Sequence, residues 1–440
     1  MAGIFKAYDI RGVYGETLTD DLAFQIGRAL AALLKPRRVV VGRDMRPHSE
    51  PLFLALARGL RLHGAEVLDL GLCSTPMSYF ANGRLGADAG VMITASHNPG
   101  AWNGFKLCRA QAIPISGATG IQELEQRVLT GAFDPPAARP GALSRHDIAP
   151  AYAAHIASFA DLRRPLHVAI DYANAMGIYE ARALDNLIRI DPLYDQLDGA
   201  FPHHEANPLK PDTLADLQAK MRRGAYDFGI AFDGDADRAG FLDEQGRIVP
   251  MDLVTALIAQ DLLRRQKGII LYDLRSSWAV KEVIGENGGT PMMCRVGHAF
   301  IKQQMRAVNA LFAGELSGHY YFRENYFTES AALAALFIAN LVSRSDQPLS
   351  ALIRPLQRYV ASGEINSEVA NPARAIERLR RQYAGGRVIE LDGLSIEFAD
   401  WWFNVRLSNT EPLVRLNLEA RTRALMEQRR DEVLALLRAP

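Results

Sequence analysis

Four times along this chain a short apolar run ends in a polar cluster containing aspartate: VVVGRD (39–44), VAIDYAN (168–174), GIAFDGDADR (229–238) and IILYDLRSS (269–277). A run that is apolar without alternation reads as a strand buried on both faces, as in parallel sheets covered by helices. Ligands gather beyond the carboxyl ends of such strands. Segments of helical period lie between the runs. The clearest is Thr19 to Leu34, with Thr19 as N-cap, Asp20 and Asp21 in the first turn, and a stripe of Leu22, Ile26, Leu30 and Leu33; Pro36 follows its end. Alternating strands and helices specify α/β layers. Four such endings point to repeated α/β units rather than one sheet, and their spacing is too long for a solenoid.

A chain of 440 residues exceeds one ordinary core, and length alone suggests about three domains. Candidate linkers are DPPAARPGAL (134–143), the neighbourhood of GRIVP (246–250) and SGEINSEVANPARA (362–375). Beyond Asn371 the pattern changes to a helix, short strands around LSIEF, WWFNVRL and LVRLNLEA, and a closing helix from about Arg423 to Arg438. That tail reads as a smaller α+β domain with an antiparallel sheet. The expected divisions are 1–145, 146–248, 249–365 and 366–440.

Composition removes several classes of function. Fifty Lys and Arg balance fifty Asp and Glu, so there is no global basic excess for nucleic acid or an anionic membrane. Cys73, Cys108 and Cys294 lie far apart and form no CxxC pair, which argues against a disulfide framework or a zinc site. No apolar run approaches the roughly 18 residues of a membrane span. The opening MAGIFKAYDIRG reads as neither signal nor transit peptide, so a cytoplasmic protein is expected.

The strongest chemical signal is Asp233-Gly-Asp235-Ala-Asp237-Arg238 after a buried strand. Three carboxylates in step repel one another unless a hard cation compensates them through oxygen ligands. An EF-hand fails on context: Glu244 falls at the twelfth position, but Arg238 occupies the sixth, where the turn wants glycine, and a strand precedes the loop. Open positions beside three carboxylates suit Mg²⁺ carrying a phosphate. A second signal is TASHNPGAWNGFK (94–106), where Ser96 stands beside His97 at a strand mouth with Lys106 close behind. Chemistry alone leaves it evenly divided between a covalent phosphate carrier and a serine that only shapes a turn. GELSGH (314–319) offers acceptors and donors suited to a polyol, although by itself a plain polar turn before the strand HYYF is the favoured reading, and RVGHAFIK (295–302) adds His298 weakly. RLSNTEP (406–412) sets Ser408, Asn409 and Thr410 between Arg406 and Arg415, in the manner of an anion nest built without a P-loop. Neither GxxxxGK[ST] nor GxGxxG occurs. A metal site, a hydroxyl nucleophile, a sugar-type loop and an anion nest together describe phosphoryl transfer on a small phosphorylated polyol.

TASHNP, DGDADR, GELSGH and RLSNTEP, in that order, resemble the four signature loops of the α-D-phosphohexomutases, and FKAYDIRG and RVGHAFIK match that family's pattern too. Within it the GE-x-SGH form is similar to the bacterial phosphomannomutase/phosphoglucomutases. The resemblance implies three related α/β domains with mixed sheets and a fourth of another fold around a central cleft. It implies phospho-Ser96 as phosphoryl donor and one Mg²⁺ on Asp233, Asp235 and Asp237, completed by a phosphate oxygen of Ser96. Arg11, Lys106 and His319 would surround the transferring group, with Lys106 and His319 as general acid/base candidates. Glu315 and Ser317 would hold sugar hydroxyls, with Arg238, Arg275, His298 and His319 also facing the substrate. Arg406, Ser408, Asn409, Thr410 and Arg415 would clasp the idle phosphate. The implied substrates are phosphorylated mannose and glucose, interconverted between 1- and 6-phosphates, with hexose 1,6-bisphosphate as intermediate and activator and a monomer or weak dimer as the working unit. Arg275 departs from the pattern, which often has lysine there; a planar fork is not a point charge. The rival readings are a phosphoglucosamine mutase, a metal-dependent sugar phosphatase and a non-catalytic sugar-phosphate binder.

Overall fold

The computed structural model describes residues 3–407 and 413–439. Four sheets carry the chain, and in each of the first three a parallel core turns back on itself through one antiparallel hairpin. In the first, Arg38–Arg43 runs parallel to Glu66–Leu72 and Ala89–Ile93, and Trp102–Arg109 returns antiparallel to Ala89–Ile93. In the second, His167–Asp171 is parallel to Arg189–Leu193 and Phe228–Phe232, and Ala239–Leu242 returns. In the third, Ile269–Asp273 is parallel to Thr290–Cys294 and Phe312–Gly314, and Tyr320–Phe322 returns. TASHNPGA, DGDADR and GELSGH are therefore equivalent: each is the hairpin connection leaving the last parallel strand. The four polar endings are thus of two kinds, since VVVGRD, VAIDYAN and IILYDLRSS close the first parallel strand of each core instead.

The local chemistry accounts for these elements. The helix Asp20–Leu34 starts where the Thr19 hydroxyl accepts from the Leu22 amide and ends at Lys35 in the left-handed region (φ +46°), with Leu22, Ile26 and Leu30 buried. The helix Ala331–Arg344 is buried on every side apart from its last residue, as expected of a helix apolar all round and enclosed by neighbours. One apolar cluster runs through the first three units, joining Phe80, Ile170, Phe232, Tyr320 and Phe337, so these sheets share a core. The fourth sheet is wholly antiparallel and holds a separate core around Leu379, Phe403, Leu416 and Val433.

Two stretches read as linkers contain strands. Ile248–Val249 pairs with Ala239–Leu242 at the edge of the second sheet, and Val360–Ser367 forms an edge of the fourth, bulged between Ala361 and Glu364. The first, Ile-Val, is too short to read as a strand, and the second is a largely exposed edge that carries Ser, Glu and Asn instead of an apolar run. No helix of the described residues is long and apolar enough to cross a membrane.

Candidate active site

The strand Ala89–Ile93 is buried throughout and empties into Ser96, whose backbone is left-handed (φ +52°). A non-glycine residue adopts that region only where its surroundings over-determine it. The Ser96 amide donates to Thr94 Oγ1 at 2.9 Å, and its hydroxyl donates to Asp233 Oδ2 at 2.7 Å while lying 3.1 Å from His97 Nδ1. Ser96 is 1 % exposed, so it forms the floor of the site. A Cβ on Gly234 would stand 2.2 Å from the Ser96 carbonyl oxygen, so the close approach of the two loops requires glycine there.

Lys106 reaches the site from the returning strand, opposite Met92, and its ammonium pairs with Asp235 at 2.6 Å and with Asp237. Burial works against that charge, but the two aspartates outweigh it and hold Lys106 protonated. Arg11, on the neighbouring strand Ile10–Val13, donates to Asn98 Oδ1 at 2.5 Å and to the Ala95 carbonyl at 3.2 Å. Arg238 lies 3.8 Å from Asp233 and 3.9 Å from Asp237.

Asp233, Asp235 and Asp237 are buried, and one oxygen of each lies within 4.8 Å of the others. Asp235 Oδ1 and Asp237 Oδ1 accept no hydrogen bond, although Asp237 Oδ1 lies 3.2 Å from His319 Nε2 as an ion pair, while Asp235 Oδ2 accepts from Thr75 Oγ1 at 2.6 Å. Burial, with Asp237 and Asp235 beside it, pushes the Asp233 carboxyl up, whereas Lys106 and His319 outweigh burial and hold Asp237 well below the carboxylate range. A buried carboxyl driven toward neutrality beside orphaned carboxylate oxygens is the donor set of a hard divalent cation. The triad fits Mg²⁺.

The GELSGH hairpin faces this cluster. Glu315 Oε2 accepts from Tyr321 OH at 2.7 Å and lies 3.1 Å from His319 Nδ1, and Oε1 accepts from the Gly297 amide at 3.1 Å. Burial alone would depress His319, but Asp237, 3.2 Å from its Nε2, and Glu315 raise it to about 9. Ser317 Oγ lies 2.9 Å from His319 Nδ1, so it is engaged within its own loop. His298 opens the helix His298–Val308 with its ring edge-on to Tyr8, 5.6 Å between centroids. Arg275 does not stand free: it lies 2.7 Å from Asp273, 3.7 Å from Glu315 and 3.8 Å from Glu364.

In the fourth unit Arg406 Nη2 donates to Glu364 at 3.0 Å, and Arg415 lies 3.2 Å from the same carboxylate. Ser408, Asn409 and Thr410 lie outside the described residues. The first three loops thus meet at one cluster, and Arg275 links it to the arginines of the fourth. Sequence reasoning missed Tyr8, Arg46, Thr75 and Glu364. Tyr8 lay inside a motif already singled out; the other three are isolated residues without a local pattern.

Four α/β and C-terminal domain families of the phosphoglucomutase/phosphomannomutases match in order: domain I at 2–134, domain II at 150–246, domain III at 250–359 and the C-terminal domain at 364–436. The chain belongs to the phosphoglucomutase/phosphomannomutase family, whose members are isomerases. It is 41 % identical to a phosphomannomutase of Escherichia coli, with 99 % of each chain covered. It is 38 % identical to a phosphoglucomutase of Neisseria gonorrhoeae, covering 99 % of this chain and 96 % of that one. The solved structure of a phosphoglucomutase/phosphomannomutase family protein from Burkholderia thailandensis superposes with a TM-score of 0.92 at 34 % identity, covering 99 % and 96 % of the two chains.

Proposed function

We propose that this enzyme interconverts the 1- and 6-phosphates of mannose and glucose through phospho-Ser96 and a hexose 1,6-bisphosphate. The observation that carries the reading is the 2.7 Å contact of Ser96 Oγ with Asp233, which joins a strained serine loop to the acidic triad 137 positions away. Asp233, Asp235 and Asp237 would hold one Mg²⁺, which when bound supplies Lewis-acid compensation for phosphoryl charge. A sugar hydroxyl oxygen attacks the phosphorus of phospho-Ser96, the bond to Ser96 Oγ breaks, and Oγ leaves to be reprotonated. The bisphosphate then turns over and returns its other phosphoryl group to Ser96. Arg11 and Arg238 surround the transferring group with fixed positive charge, to which the Lys106 ammonium adds. Lys106 and His319 are the candidate acid and base for the sugar hydroxyl's proton. Glu315 orients the sugar with Ser317 and His298 beside it. Arg406 and Arg415, together with Ser408, Asn409 and Thr410, clasp the phosphate that is not in transfer.

Arg275 is fastened among three carboxylates, which favours a role in setting Glu315 and Glu364 over direct reading of the sugar. With C2 unread, mannose and glucose phosphates should fall within roughly 10- to 200-fold of each other in kcat/KM. The test is incubation of each hexose 1-phosphate with Mg²⁺ and a trace of hexose 1,6-bisphosphate as primer, followed by phosphorus NMR. Formation of 6-phosphate with phosphate on Ser96 is expected. Release of inorganic phosphate without isomer would make the protein a phosphatase.

A further inference from the structure

We infer that Arg46 is the positioning residue of the phosphoserine loop: one buried guanidinium gathers its main-chain carbonyls and keeps Ser96 aimed through both of its covalent states. This rests on the phosphoserine reading above. Arg46 lies three residues beyond the strand Arg38–Arg43, just past the polar ending VVVGRD whose purpose the signature loops leave unexplained. Its side chain is 0 % exposed, so it reaches neither substrate nor solvent. Nη2 donates to the carbonyls of Ser96 at 2.9 Å and Asn98 at 2.6 Å, and Nη1 to those of Pro99 at 2.7 Å and Trp102 at 3.0 Å. Nε donates to Asp44 at 3.2 Å, and the Phe201 ring of the second unit stacks 5.1 Å from the guanidinium. All five N–H donors of the fork are thereby used. All four carbonyls belong to the single segment that carries the nucleophile.

Two consequences follow for the chemistry. The Ser96 carbonyl is held between the guanidinium and the Gly234 backbone, which locks the left-handed conformation that directs Oγ at Asp233. Four carbonyl dipoles also converge behind the loop, so that a phosphoryl group of about −1.5 to −2 charge on Ser96 does not meet them. A guanidinium keeps its charge at every working pH, whereas an ammonium offers three donors from a point and cannot span four acceptors.

The other units support their hairpin loops from the same place. After Ile269–Asp273, Asp273 accepts from the Leu316 amide of GELSGH at 2.8 Å. After His167–Asp171, the Met176 amide donates to the Gly234 carbonyl at 3.2 Å. The third unit has an arginine at the matching position, Arg275, but it pairs with the Glu315 carboxylate of its loop at 3.7 Å. Among the described residues, four main-chain carbonyls of one loop converge on the guanidinium of Arg46, and that loop is the one proposed to gain and lose a phosphoryl group.

The test separates positioning from folding by measuring a ratio that does not depend on how much enzyme is folded. Arg46→Lys and Asp44→Asn, the second of which removes the carboxylate charge beside Nε but keeps an oxygen to accept from the Arg46 amide and Ser49 Oγ, are primed with bisphosphate, and isomer formed is compared with inorganic phosphate released. Release means that a water oxygen, instead of the sugar, takes phosphorus from Ser96 Oγ. In Arg46→Lys kcat should fall about 100-fold with KM within about 3-fold, because a misplacement near 1 Å has that effect on a reacting group. Phosphate lost per isomerisation should rise at least about 10-fold, with a smaller rise in the same direction for Asp44→Asn. If Arg46→Lys fails to fold, the Asp44→Asn ratio decides alone. An unchanged ratio in every variant that folds, beside a wild type that carries phosphate and isomerises, overturns the assignment of Arg46. A wild type that never carries phosphate on Ser96 instead overturns the phosphoserine reading beneath it.

Discussion

Replacing Glu364 by glutamine tests how the anion nest is balanced. Its carboxylate lies 3.0 Å from Arg406, 3.2 Å from Arg415 and 3.8 Å from Arg275, where it occupies cations that the idle phosphate is proposed to use. A phosphate held by those same guanidiniums would sit about 5–6 Å from the carboxylate, and two unit charges at that distance repel by about 3 kcal/mol at an effective dielectric of 20. Glu364 is 26 % exposed, so solvent and salt reduce the effect to about 1–2 kcal/mol, or roughly 5- to 30-fold in affinity. Glutamine keeps the shape and one acceptor while removing the charge. The assay is competitive inhibition by inorganic phosphate at fixed ionic strength, alongside KM for the hexose 1- and 6-phosphates. All three constants should fall together, because one nest serves either end of the sugar. A rise in all three would show that Glu364 serves to hold the arginines in place, refuting the charge argument. A fall confined to one phosphate would refute the shared nest.

Ser96→Ala should lose nearly all turnover and its phosphate, seen by intact mass, while melting within a few degrees of wild type, since only the hydroxyl's contacts to Asp233 and His97 disappear. Mg²⁺ at about 100 times its Kd should stabilise the wild type by about 2.7 kcal/mol and should not stabilise Asp237→Asn comparably; equal melting shifts in both would remove the metal from the triad. Glu180 accepts from Ser74, Tyr152, Ser330 and the Ala332 amide where the first three units meet, and burial raises its carboxyl from 4.5 to about 6 despite these bonds. Its contribution to stability is therefore complete below about pH 4.5 and is lost as pH rises through about 6, amounting to about 2 kcal/mol. Glu180→Gln should accordingly gain on wild type in melting temperature between pH 5 and pH 7, and a constant difference across that range would show that Glu180 does not titrate there.

Much of the site was legible because its chemistry is clustered along the chain. Three aspartates at alternate positions after an apolar strand read as a cation site; all three are buried, and Asp235 and Asp237 each keep one oxygen without a hydrogen bond. TASHNP and GELSGH were recognisable as loops at strand ends, although their equivalence with DGDADR appears only in the sheet order. The strand Val360–Ser367 was read as linker because an exposed, bulged edge carries Ser, Glu and Asn where an inner strand would carry valine. Arg275 illustrates the opposite limit. Its departure from the expected lysine was visible, but its three carboxylate neighbours come from its own strand, a hairpin and the fourth unit.

Composition and spacing by themselves determined which groups share a loop: Ser96 with His97, the three aspartates with Arg238, and Glu315 with Ser317 and His319. Backbone geometry couples positions a few residues apart, so those sets are written locally. Tertiary structure alone decided which loops face one another. Ser96 meets Asp233 across 137 positions, Lys106 meets Asp237 across 131, and Arg46 meets the Ser96 carbonyl across 50. The first two meetings follow from packing three sheets around one apolar core through Phe80, Phe232 and Phe337, and no short-range pattern encodes the angle at which sheets pack. The third follows from the pairing of Arg38–Arg43 with Ala89–Ile93 inside the first sheet. Arg46 and Glu364 stayed hidden for the same reason: a single arginine or glutamate among fifty basic and fifty acidic side chains acquires its role only from what the fold brings against it.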